Sequence, residues 1–188
     1  MLPNALPDHG LIAHRGLAHR FPENTMVALE AALACGVMLL EYDIQCTSDG
    51  VPILLHDESF ERVSGLDHQV NELTLERALE ISVGYPARFG DRFADIHAPT
   101  LEQTAISLAG HSDAISLVEL KQPSIEHVGR HALVKTVGEL LAPIAGRAII
   151  ISFDAQVLEV AKVAGFPIGF CTAKLDSLAR EECEALIP

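Results

Sequence analysis

Short apolar runs alternate with helical patterns along this chain, and that alternation limits its fold more than any other feature. The clearest run is Ala148-Ile149-Ile150-Ile151. A strand that is apolar on both faces belongs in a sheet covered on both sides, and strand–helix–strand order makes that sheet parallel. The pattern places strands at Leu11–His14, Met38–Gln45, Ile115–Lys121, Ala148–Phe153 and Ile168–Thr172. Asn24 and Thr25 are good caps for a helix carrying Met26, Leu29 and Leu33 and ending at Gly36. Further helices are expected over Leu101–Leu108, from Ile125 to Leu141 as one long element, over Val157–Ala164, and over Leu175–Leu186. Thr47-Ser48-Asp49-Gly50 is a tight-turn sequence that returns Val51–His56 as an antiparallel partner. Residues 57–98 hold too many apolar side chains for a linker and read as an excursion, with one helix near Leu73–Ile81.

Composition narrows the function. The 188 residues suit one domain, and 49% apolar content excludes disorder as the main state. Asp and Glu number 26 against 13 Lys and Arg, a formal charge of −13. That balance argues against a non-specific nucleic-acid binder and against docking on anionic membrane. The longest mostly apolar stretch, Ala31–Leu40, has ten residues, where a spanning helix needs ~20. Met1–Gly10 has neither a basic start nor a long apolar run, so no signal peptide is expected. Cys35, Cys46, Cys171 and Cys183 lack the spacing of a disulfide framework or a zinc site. Reduced thiols in a cytoplasmic protein are the expectation.

The chemistry gathers at expected strand ends. Glu41 and Asp43 lie two apart and share a face, as do Glu119 and Lys121. In α/β proteins the C-terminal strand ends hold the site. Three converging carboxylates repel one another unless a cation sits between them, and all-oxygen donors suit Mg²⁺ or Ca²⁺. His14 closes the first strand and His56 the hairpin return. A turn centred on Ser48-Asp49 sets His56 opposite Glu41, and one centred on Asp49-Gly50 sets it opposite Asp43. Two imidazoles there suit general acid and general base roles. Arg15 and Lys121 supply positive charge for an anionic substrate, a guanidinium fork and a point charge that both match phosphate.

These residues fall into a recognisable series: His14-Arg15-Gly16, Pro22-Glu23-Asn24-Thr25, Glu41-x-Asp43, Thr47-x-Asp49-Gly50, His56-Asp57, Pro99-Thr100-Leu101-Glu102 and Glu119-x-Lys121. In that order and spacing the series resembles the glycerophosphodiester phosphodiesterase family, over residues 11–174. The resemblance implies a TIM-type (β/α) barrel and metal-dependent hydrolysis of a small glycerophosphodiester to glycerol 3-phosphate and an alcohol. It implies one divalent cation, Mg²⁺ or Ca²⁺, on Glu41, Asp43 and Glu119. His14 and His56 match the paired acid and base, with His56 favoured as the acid, and Arg15 and Lys121 match the phosphate contacts. Pro22–Thr25 reads as structural, shaping a loop and capping the first helix. A lipid-directed phosphodiesterase of the related phospholipase type shares the constellation, but the short N-terminus and Pro-Glu-Asn-Thr favour the soluble substrate.

Five expected strands fall short of the barrel's eight, which typically take ~250 residues. Family members usually add three strand–helix units, one with a Trp-Thr pair, and this chain has no Trp. The expectation is a single domain over residues 1–188, a barrel incomplete at its C-terminus. Three explanations fit such a chain: a fragment or frameshifted product of a longer enzyme, a barrel completed by another copy as a homo-oligomer, or a stable incomplete barrel left as a weak or inert metal- or partner-binding module.

Overall fold

The computed structural model describes residues 10–172. Five strands lie parallel in the order β1 (Ile12–His14), β2 (Leu39–Cys46), β4 (Ile115–Leu120), β5 (Ala148–Ser152) and β6 (Ile168–Phe170). A short β3 (Pro52–Leu54) pairs antiparallel with the far end of β2. Helix α1 (Met26–Ala34) joins β1 to β2, α5 (Leu101–Ala109) precedes β4, α6 (Gln122–Val128) and α7 (Arg130–Leu140) join β4 to β5, and α8 (Ala155–Val163) joins β5 to β6. The alternation seen in the sequence is therefore the architecture, an α/β fold built on a parallel arc. The expected helix over Leu175–Leu186 lies outside the described residues. Among the described residues no helix is long and apolar enough to cross a membrane.

Central β2 is buried at every position, and helices close over the sheet through Leu29, Leu33, Leu101, Leu108, Leu133, Val137 and Leu158. Side-chain caps start several of those helices. Thr25 accepts from the Ala28 N–H, Thr100 and Gln103 form a reciprocal capping box, and Asp154 accepts from the Val157 N–H. Residues 57–98 form a satellite with its own core of Phe60, Val63, Val70, Ala78, Ile81 and Val83. Its helices are single turns, α2 (Glu61–Ser64), α3 (Leu75–Ala78) and α4 (Pro86–Phe89). The helix expected over Leu73–Ile81 thus shrinks to α3, capped by Thr74.

Three local expectations need correction. The long helix over Ile125–Leu141 is two helices, broken at Gly129, whose φ/ψ of 86/143° is not helical. The hairpin follows neither expected register. Gly50 donates to the Thr47 carbonyl and takes φ +77°, so the loop has three central residues and Ile44 faces Leu54. A type I turn followed by a left-handed glycine makes such a loop, and its register falls between the two alternatives. β3 then ends at Leu54, so His56 lies two residues past the ladder. Finally, Glu41 and Asp43 lie inside β2, because pairing with β3 carries that strand past the end of its parallel ladder with β1 at Glu41.

Gly16 shows how tightly the first loop is set. It has φ +78°, and a Cβ there would stand 2.6 Å from the Ala28 carbonyl carbon on α1. The same turn is tied to that helix by the Leu17 N–H donating to the Ala28 carbonyl at 2.8 Å. Gly50 has a similar φ but open space around it. Left-handed backbone costs a side chain ~1–2 kcal/mol, and forced overlap adds ~1–3 kcal/mol. Denaturant unfolding should therefore show Gly16→Ala losing ~2–5 kcal/mol and Gly50→Ala only ~1–2 kcal/mol; equal losses would contradict this packing.

Candidate active site

Parallel register brings the acids together. β2 and β4 pair so that Asp43 stands beside Glu119, and Glu41 shares Asp43's face while Tyr42 points into the core. One oxygen from each of Glu41, Asp43 and Glu119 lies within 4.8 Å of the others, and all three residues are buried. Burial first, and then the charge of Asp43, push the Glu41 carboxyl up to about 8, against the pull of the Arg15 N–H. That N–H donates to Glu41 Oε2 at 2.9 Å.

Cations and an amide hold the cluster. Arg15 Nε lies 3.1 Å from Asp43 Oδ2, and Lys121 Nζ lies 2.8 Å from Glu119 Oε1 and 3.3 Å from Asp43 Oδ1. Burial works against the Lys121 charge, but Glu119 and Asp43 hold its pKa above the ordinary lysine value. Asn24 clamps Asp43 twice: its Nδ2 donates to Oδ2 at 2.8 Å, and its Oδ1 accepts the Asp43 N–H at 3.1 Å. Even so, Glu41 Oε1 and Asp43 Oδ1 are buried and accept no hydrogen bond. Buried acceptors in this state are unstable unless a donor or a cation satisfies them. Three carboxylates with two open oxygens fit a hard divalent cation.

Both histidines stand at this cluster's rim. His14 ends β1 opposite Glu41, with Nε2 3.8 Å from Glu41 Oε2. Burial and Arg15 lower its pKa, Asp43 raises it, and the charge of His56 lowers it again. The Leu55 N–H donates to the Asp43 carbonyl at 3.1 Å, which brings His56, the next residue, to the same end of β2. Its Nδ1 meets Asp57 Oδ1 at 2.5 Å. The structure thus brings His14, Arg15, Glu41, Asp43, His56, Glu119 and Lys121 into one place.

Other participants were given no role at the site by the sequence reading, although Glu23, Asn24 and Asp57 stand in its motifs. Asn24 was read as a cap, but Thr25 does the capping and Asn24 grips Asp43. Asn24 takes φ 55°, and the only hint of this in the sequence is that Asn tolerates that conformation better than most residues. Glu23, Asp57 and Arg62 form ion pairs beside the site. Cys171 follows β6, and its thiol is pushed up to about 12 by burial and by Glu119 and Glu41.

Residues 14–180 match the model of the glycerophosphoryl diester phosphodiesterase family. The chain belongs to that family. A glycerophosphodiester phosphodiesterase from Caldanaerobacter subterraneus subsp. tengcongensis is 33% identical over 156 residues, covering 82% of this chain and 62% of that protein. A Silicibacter pomeroyi protein assigned to the glycerophosphoryl diester phosphodiesterases superposes with a TM-score of 0.76 at 29% identity, over 86% of this chain and 64% of that one. An Oleispira antarctica phosphodiesterase, solved with its product sn-glycerol-3-phosphate, shares the fold with a TM-score of 0.81 at 24% identity, over 93% of this chain and 70% of that one. The chain thus spans 62% of the length of the Caldanaerobacter phosphodiesterase. The described parallel arc matches part of the family's TIM barrel.

Two measurements follow for this family member. A cation at 100 times its Kd stabilises by about 2.7 kcal/mol, so saturating Mg²⁺ or Ca²⁺ should raise Tm by ~5–10 °C, and Asp43→Asn should abolish most of that rise. In EDTA, Glu41 stays protonated when folded up to about 8 but ionises near 4.5 when unfolded. The stability that Glu41 contributes should be full below pH ~4.5 and be lost as pH rises from there through ~8, and Glu41→Gln should lose this part of the pH dependence.

Proposed function

We propose that this chain hydrolyses glycerophosphodiesters to glycerol 3-phosphate and an alcohol. The observation that carries the reading is the buried Glu41–Asp43–Glu119 cluster with two unsatisfied oxygens, flanked by two imidazoles and two cations. Glu41, Asp43 and Glu119 would hold one Mg²⁺ or Ca²⁺, and when bound it would offset negative charge on the phosphate. Arg15 and Lys121 serve the same charge. Lys121 Nζ donates to Glu119 Oε1 and pairs with Asp43 Oδ1 by charge at 3.3 Å without a hydrogen bond, which leaves donors for a phosphate oxygen.

The two histidines divide the proton work. His14, next to Arg15 and Glu41, takes the proton from the attacking oxygen, either water or the neighbouring glycerol hydroxyl. His56 faces Asp57 through Nδ1, which leaves Nε2 to protonate the leaving alkoxide. The cytoplasmic setting belongs to the same reading and is supported by free thiols at Cys35, Cys46 and Cys171.

Release of glycerol 3-phosphate from a glycerophosphodiester, followed during a metal titration, tests this function. His14→Ala and His56→Ala should each cut turnover at least ~100-fold while the metal-induced rise in Tm persists. Near-wild-type turnover in both would overturn the scheme. Cation binding with no product release by the wild-type chain would favour a metal-binding module over an enzyme.

A further inference from the structure

Ion pairs of alternating sign connect the two halves of the site through a residue that belongs to none of its motifs. Arg15 Nη1 lies 3.0 Å from Glu23 Oε1. Arg62 grips the same Glu23 with both terminal nitrogens, Nη1 to Oε2 at 2.9 Å and Nη2 to Oε1 at 2.8 Å. Its Nε donates to Asp57 Oδ2 at 2.6 Å, and Asp57 Oδ1 meets His56 Nδ1. The run is Arg15, Glu23, Arg62, Asp57, His56, and every neighbour has the opposite sign when His56 is protonated. It begins beside Asp43 and ends on the imidazole assigned as the acid.

We infer that Arg62 is a positioning residue for His56, and that the satellite of residues 57–98 serves to present it. The inference rests on the proposed function for its catalytic consequence, but the geometry stands without it. Arg62 places three of its five donors on two carboxylates, a bidentate fork on Glu23 and a third bond to Asp57, which is the geometry of a brace between them. The demand for a brace comes from the hairpin. β3 ends at Leu54, and the main chain at His56 is held only by the Gln45 Nε2 donation to its carbonyl, among the described residues. Its side chain depends on Asp57. Asp57 in turn is about a third exposed and would be free to rotate without Arg62. Arg62 sits on α2, a single turn with no stability of its own. The satellite core holds that turn through Phe60 and Val63. Tyr85 adds a ring 5.6 Å from the guanidinium, and its N–H donates to the Val63 carbonyl at 3.0 Å.

The test uses Arg62→Met and Arg62→Lys in the full chain, with Arg88→Met as a control on the same satellite. Long-range ¹H–¹⁵N spectra at pH ~8.5, above the ordinary imidazole range, report the His56 tautomer whether or not the chain turns over. Wild type and Arg88→Met should show one tautomer with Nδ1 protonated. Arg62→Met should show a mixture, and Arg62→Lys should restore part of the order. In the hydrolysis assay Arg62→Met should lower kcat about tenfold with KM unchanged, since misplacing an acid costs less than the ~10²–10⁴ of removing one. Combined with Asp57→Asn, Arg62→Met should add no further loss, because both act through one carboxylate. An unchanged tautomer in folded Arg62→Met overturns the inference, as does full additivity with Asp57→Asn. Arg62→Lys decides the question should Arg62→Met melt. A chain without turnover but with the tautomer dependence would defeat the proposed reaction and leave the positioning role intact.

Discussion

Mutual repulsion among three buried carboxylates is the constraint that organises this protein. Glu41, Asp43 and Glu119 are forced together by parallel register, with almost no water to screen them. Such a cluster persists only where the surroundings answer it. Arg15 and Lys121 answer with charge, Asn24 with two directed hydrogen bonds, and the Arg15 N–H with another. Glu41 answers for itself by keeping its proton up to about 8 in the absence of a metal. Arg15 follows β1, Asn24 lies in the first loop, Glu41 lies inside β2 and Lys121 follows β4, so the site ties these elements into one unit.

Backbone strain follows the same network. Among the described residues the non-glycine residues with positive φ are Arg15, Asn24 and Tyr85. Arg15 and Asn24 both hold Asp43, and Tyr85 stacks beneath Arg62. Each costs ~1–2 kcal/mol relative to an ordinary conformation. The Asn24 N–H donates to the Arg15 carbonyl at 3.1 Å, so the two strained residues stabilise each other. Gly16 then lets the turn pack directly on α1, which relates the short His-Arg-Gly and Asn-Thr segments by contact instead of by sequence distance.

How far a sequence discloses such a site depends on how local each contact is. Glu41, Asp43 and Glu119 were legible because period-two alternation fixes which side chains share a face, and strand ends are where α/β sites form. His14 was legible for the same reason. His56 was placed near the cluster, but its register was not, because one left-handed residue, Gly50, adds a third position to the loop. Asn24 was seen but misread: a cap and a clamp use the same residue types, and only the fold shows that Thr25 took the cap. Arg62 left no trace. It acts across 39 residues of chain from Glu23, on a single-turn helix with no periodicity to read.

Charge bookkeeping around the site bears on how a chain of net charge −13 would meet the phosphodiester anion of the proposed reaction. Glu23, Glu41, Asp43, Asp57 and Glu119 face only Arg15, Arg62 and Lys121 among the permanent cations of this network, which leaves −2 when all five acids are ionised. The arginines and the lysine are already committed to these carboxylates, so they cannot by themselves reverse the sign. A divalent cation held by Glu41, Asp43 and Glu119 would bring the balance to zero, and Arg15 and Lys121 would then face the proposed substrate without an excess of negative charge behind them. The acidic cluster and the basic residues beside it are therefore two parts of one device. The acids set the demand for a cation, and meeting that demand would make the bases available to the phosphate of the proposed substrate.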